Sequence, residues 1–408
     1  MSRIRSALRS GIPKLLSARM LVYVASGLST LAIARILGPR AYGIYAAGVA
    51  VASIALVLNY FGQDQLFLKG GVDELTLRLR NAQVGVISVC LLGVVALSWP
   101  SISETARVCA LLFGGAIIAQ RLLLPFLTQP LFNLNFHQRA RREVLATGIW
   151  PVLGFGLGYV FGHTPVAFAA GFFAAGMILL IGRIHPRDFL RVLKDLPFQD
   201  FVKGLPFAIS GAFYVIYFQS DVAVLGSMAS AHVVGLYAAP TSLLGVSLLM
   251  STLLTNDVMR TRLYKLKPGT TAFRETARST GMMVTLLGVG IGAVVAGGAH
   301  ELLVLVFGQS FGSATVYLQI FGLAIAIYYV SNWCSNILIA AGSITRVVIT
   351  QCFLAVINVV GNILLIPHFG AVGSAWMTVG CEALGAGIFA VVLILRGYLT
   401  ISSHGSSS

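Results

Sequence analysis

From Met20 to Leu395 the chain is written as long apolar runs separated by short breaks that hold basic residues, glycine or proline. A helix of about 20 predominantly apolar residues crosses the hydrocarbon core of a bilayer, and the runs have that length. They do not alternate apolar and polar positions, which argues against a membrane β-barrel. The pattern predicts helical spans at 20–36, 43–63, 83–99, 107–127, 144–161, 165–182, 205–227, 234–256, 280–298, 312–340, 346–366 and 371–395, about twelve in all. An even number places both termini on one side of the membrane.

The positions of Lys and Arg say which side. Of 28 basic residues, Arg35, Arg40 and Arg107 lie toward one face and Arg121 falls within a span, whereas the rest crowd the opposite face. Cytoplasmic segments hold the basic excess, so both termini are expected in the cytoplasm. The N-terminal MSRIRSALRSGIPKLLSARM is basic and amphipathic for longer than the head of a signal peptide, and no small-residue cleavage site follows. It reads as an interfacial segment leading into an uncleaved anchor.

Composition agrees with a bilayer as solvent: 57% hydrophobic, 10% charged, mean hydropathy +0.88. The formal charge of +15 sits in the breaks between apolar runs, where anionic headgroups account for it, and nucleic acid is not an expected partner. Cys90, Cys109, Cys334, Cys352 and Cys381 all fall inside apolar runs without metal-ligand spacing, so they read as small core hydrophobes.

An internal repeat runs through the chain. Gly11-Ile12-Pro13 precedes the first span as Gly204-Leu205-Pro206 precedes the seventh. Leu37-Gly38 matches Leu225-Gly226, and Gly43-Ile44-Tyr45-Ala46-Ala47 matches Gly235-Leu236-Tyr237-Ala238-Ala239. The offsets are 193, 188 and 192 residues. Six spans per copy give two bundles of like orientation, related by an axis along the membrane normal. The predicted organisation is an N-terminal six-helix bundle at 1–182, an amphipathic cytoplasmic linker at 183–203, a C-terminal six-helix bundle at 204–396 and a flexible tail at 397–408.

Ala34-Arg35-Ile36-Leu37-Gly38-Pro39-Arg40-Ala41-Tyr42-Gly43-Ile44-Tyr45 resembles the first-loop pattern of bacterial polysaccharide-biosynthesis flippases. These are the oligosaccharide-lipid translocases of the multidrug/oligosaccharidyl-lipid/polysaccharide (MOP) exporter superfamily. Asp221-Val222-Ala223-Val224-Leu225-Gly226 with Val234-Gly235-Leu236-Tyr237, Phe307-Gly308, and Asn362 to Trp376 extend the resemblance in matching order along nearly the whole chain. It implies an all-α, MATE-like two-bundle carrier in the bacterial inner membrane, not an enzyme and without a cofactor. The implied cargo is a polyprenyl-diphosphate-linked oligosaccharide for lipopolysaccharide or exopolysaccharide synthesis, with membrane lipids, a glycan polymerase and export machinery as partners. Two departures stand out: many relatives have fourteen spans, and the acidic pair common after Gly-Pro in the first loop is Arg40-Ala41 here. The motifs are packing motifs and identify a fold more than a cargo.

A charge at mid-bilayer costs at least ~2.5–3.5 kcal/mol on insertion scales, which makes ionisable residues within spans functional candidates. Arg121, beside Gln120, lies ~10 Å short of the inner edge of its span at 1.5 Å per residue. Its guanidinium could hold a diphosphate bidentately, or snorkel to the headgroups. Arg35 at the end of the first span could reach the headgroups or pair with Asp221. Asn59 and Asp64 belong to a polar patch ending the second span, suited to substrate contact or to a solvated helix end. Asp221 and Glu382 are candidates for ion coupling, with an interfacial cap and a neutral structural carboxyl as their plainer roles.

The amide pairs Asn332/Asn336 and Asn358/Asn362, at i, i+4, are expected to join helices. Gly154-x-Gly156-x-Gly158 lies in an apolar span and reads as close helix packing rather than a nucleotide loop. No P-loop, zinc motif or Ser-His-Asp order is present. Three alternatives stand beside the flippase reading: an ion-coupled small-molecule exporter of the same superfamily, a membrane-embedded glycan polymerase or ligase, and a non-transporting scaffold. Short, acid-poor outer connections argue against the enzyme.

Overall fold

A computed structural model describes residues 2–57, 74–99, 101–132, 135–181, 198–252, 254–255 and 259–398. The described residues are almost entirely helical and contain no strand. They divide into two compact units, Met1–Gly235 and Leu236–Ser408. Eight helices among them are long and apolar enough to cross a membrane, and Pro165–Leu180 and Val215–Met228 are shorter apolar helices.

Eight rather than about twelve long helices arise because two pairs of predicted neighbours fuse, and because the sixth and seventh predicted spans fall on the two shorter helices. Helix α1 (Ser2–Ala55) carries the first two predicted spans and is interrupted at Gly38, with φ 68° and ψ 172°. The final helix (Ile344–Leu395) carries the last two and is interrupted at Gly370, with φ 58° and ψ −147°. Positive φ with extended ψ is a region that only glycine enters without strain, so each glycine turns the backbone where a side chain would forbid it. Both breaks fall in the connections that the apolar pattern predicts, between 36 and 43 and between 366 and 371.

The first unit continues with α2 (Glu74–Ser98), α3 (Glu104–Leu122), α4 (Leu124–Phe132), α5 (Phe136–Glu143), α6 (Ile149–Phe161), α7 (Pro165–Leu180) and α8 (Phe198–Met228). Residues 198–203, expected in the linker, form the first turns of α8; 183–197 and 399–408 lie outside the described residues. Ser103 caps α3 by accepting from Ala106 N at 3.2 Å, and Thr164 caps α7 by accepting from Ala167 N at 3.1 Å. Each satisfies one of the free N–H groups that begin a helix.

Between α5 and α6 the helix widens into a π turn, Val144–Gly148. Pro151 has no N–H to return to the carbonyl four residues back, so the regular ladder fails just where the wider turn sits. Gln120 Nε2 of α3 donates to Ala146 O within that turn at 3.2 Å. Ser29 Oγ of α1 lies 3.2 Å from Pro151 O. The Gln120 amide thus takes up a carbonyl within the irregular turn, as backbone in a membrane-spanning segment requires.

Glycines bring α6 and α7 together. A Cβ on Gly171 would lie 2.3 Å from Gly158 N and 2.4 Å from Gly154 O, and Cβ atoms on Gly154 and Gly158 would each lie 2.7 Å from a Phe172 or Phe168 ring carbon. The packing role predicted for the glycine triplet holds at 154 and 158, whereas Gly156 faces open space. Beside this crossing, Phe113 packs at 5.4 Å from Phe172 and 6.0 Å from Trp150, with Tyr45 at 6.1 Å, giving the unit an aromatic core.

The second unit holds most of α9 (Ala231–Thr252), then α10 (Arg260–Leu263), α11 (Thr271–Gly297), α12 (Ala299–Phe307), α13 (Thr315–Ala340) and α14 (Ile344–Leu395). Its core gathers Met259, Phe273, Ile337, Leu338 and Phe389. Helices α11 and α13 cross where Gly292 meets Gly322, and Trp333 Nε1 donates to Ala277 O at 3.0 Å. On the other face of α11, Met282, Leu286 and Val294 are 64%, 67% and 70% exposed. An apolar face open to this degree is what lipid covers.

Candidate functional site

The sequence-predicted residues distribute over both units. Arg121 lies in the last turn of α3 in the first unit and is 7% exposed. Its own carbonyl accepts from Asn81 Nδ2 of α2 at 2.8 Å, tying α3 to α2 beside the charge. Asn81, Gln83 and Ser88 on α2 and Thr128 on α4 are buried as well. Neighbouring Gln120 turns away to hold the π turn, so its amide is occupied in positioning the fifth predicted span.

Two further arginines of this unit are bound into its frame. Arg139 pairs with Glu143 on α5. Arg142 Nη1 donates to Phe126 O at 2.7 Å and Gln129 Oε1 at 3.1 Å, with its guanidinium carbon 4.3 Å from the Phe126 ring centre. These contacts pin α5 to α4 through a cation over an aromatic face. The sequence counts Arg139, Arg141 and Arg142 only among the charges of the basic face, and nothing in a charge count distinguishes Arg142, which packs inward, from exposed Arg141.

Arg35 is exposed on α1, and Asp221 on α8 is 5% exposed with Oδ1 accepting from Val222 N at 2.8 Å. Asn59 and Asp64 lie outside the described residues.

In the second unit Glu382 is 7% exposed on α14. One and two turns before it on the same helix face stand Thr378 and Ser374. Ser374 Oγ donates to Asn362 Oδ1 at 2.6 Å and lies 3.2 Å from Tyr237 Oη. Asn362 Nδ2 donates in turn to Asn358 O at 2.9 Å and Asn358 Oδ1 at 3.0 Å. A buried polar chain therefore runs from Tyr237 through Ser374 to the amide pair, joining the two limbs of α14. The other pair behaves alike: Asn332 Nδ2 donates to Ser251 Oγ at 3.1 Å and Thr255 Oγ1 at 2.8 Å, joining α13 to the end of α9. Both amide pairs join helices, as their spacing predicts.

Tyr237, Ser374 and Thr378 were not foreseen as members of this cluster. The signal available was the i, i+4, i+8 spacing of Ser374, Thr378 and Glu382, which places three polar groups on one face of an apolar helix. Among the described residues no group of three or more His, Cys, Asp or Glu is placed to hold a metal ion. Cys109, Cys334 and Cys381 are buried as expected of small core hydrophobes, and Cys352 is half-buried, whereas Cys90 is exposed. What the two units offer chemically is a buried guanidinium in one and a buried carboxyl beside a hydroxyl and amide chain in the other.

Comparison with known protein families and with curated protein sequences finds no match. Solved structures do match in fold. The chain is similar to lipid II flippase MurJ in an inward closed conformation, with TM-score 0.67 and 13% identity over 93% of this chain and 89% of that one. It is also similar to an inward-facing MATE family multidrug resistance transporter of the MOP superfamily, with TM-score 0.60 and 16% identity over 96% and 99%. A third is the MATE multidrug transporter DinF-BH, at TM-score 0.58 and 15% identity over 97% of each chain. The structural neighbours are thus MOP superfamily transporters, and the chain has the fold of multi-pass membrane carriers.

Proposed function

We propose that the protein translocates a polyprenyl-diphosphate-linked oligosaccharide from the cytoplasmic to the outer leaflet of a bacterial inner membrane by alternating access. Twelve spans in two six-helix bundles, with both termini in the cytoplasm, form the framework of this reading. The observation that carries it is Arg121, a guanidinium 7% exposed within an apolar unit of a carrier fold. A guanidinium among apolar helices suits a ligand that carries a diphosphate, whose oxygens accept paired, charge-assisted hydrogen bonds from its planar fork. The first-loop motif around Leu37-Gly38-Pro39 and the ordered motifs beyond it support the polysaccharide branch.

Coupling to an ion gradient is assigned to the buried carboxyls of Glu382 and Asp221, since a carboxyl can trade its charge for a proton or a bound cation as the carrier changes state. The polar chain around Ser374 and Asn362 supports this assignment by supplying oxygen ligands on the same helix as Glu382. The same feature favours a second reading, an ion-coupled small-molecule exporter of the kind named among the structural neighbours.

Deleting the gene separates the two. A flippase deletion accumulates the lipid-linked repeat unit on the cytoplasmic face and depletes surface glycan. Undiminished outer-leaflet display in a strain without a second copy contradicts the flippase reading, and altered drug susceptibility in that strain favours the exporter.

A further inference from the structure

The connection between α9 and α11 carries a charge that its counterpart in the first copy of the repeat does not. Residues 253–278 hold six cations, Arg260, Arg262, Lys265, Lys267, Arg274 and Arg278, against two acids. Residues 61–86, the same stretch at the 192-residue offset, hold three cations against three acids. In the twelve-span layout both connections face the cytoplasm, so the orientation bias of basic residues alone does not account for the difference.

The structure fixes this charge in place. Leu266 N donates to Leu263 O at 3.0 Å and Thr270 N to Lys267 O at 3.3 Å, which closes the turns after α10. Thr270 Oγ1 then caps α11 by accepting from Phe273 N at 3.4 Å. Met259, Leu263 and Phe273 are sealed into one core with Val347 and Leu393, which come from opposite ends of α14. Tyr398 packs there too, its ring centre 6.0 Å from that of Phe273.

Around this core Arg262, Lys265, Lys267, Arg278, Arg346 and Arg396 are exposed. Arg262, Arg278 and Arg346 are immediate chain neighbours of the buried Leu263, Ala277 and Val347, so their backbones are held by the core. Arg274, beside Phe273, is half-buried, with its Nε enclosed and lacking a hydrogen-bond partner among the described residues. Glu275 is the one acid among residues 259–278. Like charges mounted on a packed frame repel one another, and a layer of anionic phosphates relieves that repulsion. Tyr264, 60% exposed between Arg262 and Lys265, is an aromatic of the kind that settles among headgroups.

We infer that this basic rim of the second unit is a binding surface for the phosphodiester headgroups of anionic phospholipids in the inner leaflet. The inference rests on the proposed function only through the cytoplasmic placement of the connection.

The test titrates the purified full chain, in neutral detergent, with phosphatidylglycerol or phosphatidylcholine and counts bound lipid by native mass spectrometry. Phosphatidylglycerol is expected to bind in preference. Each Lys or Arg near an anionic surface strengthens attachment about fivefold, so Arg262→Gln with Lys265→Gln and Lys267→Gln should weaken phosphatidylglycerol binding roughly a hundredfold. Lys265→Gln alone should show the fivefold step, so the result does not depend on recovery of the triple variant. Lys14→Gln with Arg19→Gln and Arg141→Gln removes the same charge from the first unit and should leave binding nearly unchanged. Equal binding of the two lipids, or equal loss in the two triple variants, overturns the site. Displacement of phosphatidylglycerol by inorganic phosphate at constant ionic strength would mark a free-phosphate site and overturn the lipid assignment. Detergent has no leaflets and no cargo enters the readout, so failure here leaves the flippase reading standing, and failure of that reading leaves the lipid site standing.

Discussion

Replacing Gly171 with leucine is expected to abolish recovery of folded protein. The side chain would start 2.3 Å from Gly158 N and 2.4 Å from Gly154 O, atoms of a neighbouring helix backbone that cannot swing aside as a side-chain tip can. Overpacking a core commonly costs about 1–3 kcal/mol and occasionally more. Here relief requires α6 and α7 to move apart, which also breaks the packing of Phe168 and Phe172 on Gly158 and Gly154, so the effect belongs at the top of that range. The monodisperse peak in detergent size-exclusion chromatography should vanish for Gly171→Leu. It should persist for Gly156→Leu, two residues from Gly154 and Gly158 on the same helix but facing open space.

The second large effect is on transport and separates charge from shape. Arg121→Ala should lower translocation by about 30-fold or more, the loss expected when one member of a desolvated, charge-assisted contact is truncated. Arg121→Lys should recover part of it, since it keeps the charge and loses the planar fork that grips two phosphate oxygens. Glu382→Gln, nearly isosteric, should leave the folded peak intact while removing dependence on the ion gradient. Initial rates of glycolipid appearance in the outer leaflet, with expression matched, give the comparison. Wild-type rates in all three variants would remove the site assignment and favour a scaffold.

The breaks in the fold were legible because they depend on local chemistry. Leu37-Gly38-Pro39 and Phe369-Gly370-Ala371 mark turns in any solvent, and glycine supplies the backbone geometry that both use. The glycine triplet announced a close crossing for a similar reason: in lipid, helices associate through small residues that let backbones approach.

Side-chain facing was not legible in the same way. A soluble helix shows its buried face by apolar periodicity, but a spanning helix is apolar toward lipid and toward its neighbours. Sequence therefore left Arg121 between a cleft and the headgroups, and the structure places it buried beside Asn81. Arg142 was hidden for the same reason. The π turn at Val144–Gly148 follows from Pro151, yet a proline in an apolar run predicts a disturbance without predicting that Gln120, 26 residues away, would come to hold it. Ser374 and Tyr237, 137 residues apart, meet only through the fold.

Reconstitution tests the central claim most directly. The purified protein would be placed in liposomes that carry a fluorescent polyprenyl-diphosphate oligosaccharide in both leaflets, and the fraction open to an impermeant quencher followed after an ion gradient is imposed. The account predicts protein-dependent movement of the lipid from the inner to the outer leaflet or the reverse, set by the gradient's direction and lost in Arg121→Ala. Quenching that stays at the protein-free level, with the protein shown to be folded in the same liposomes, would contradict it.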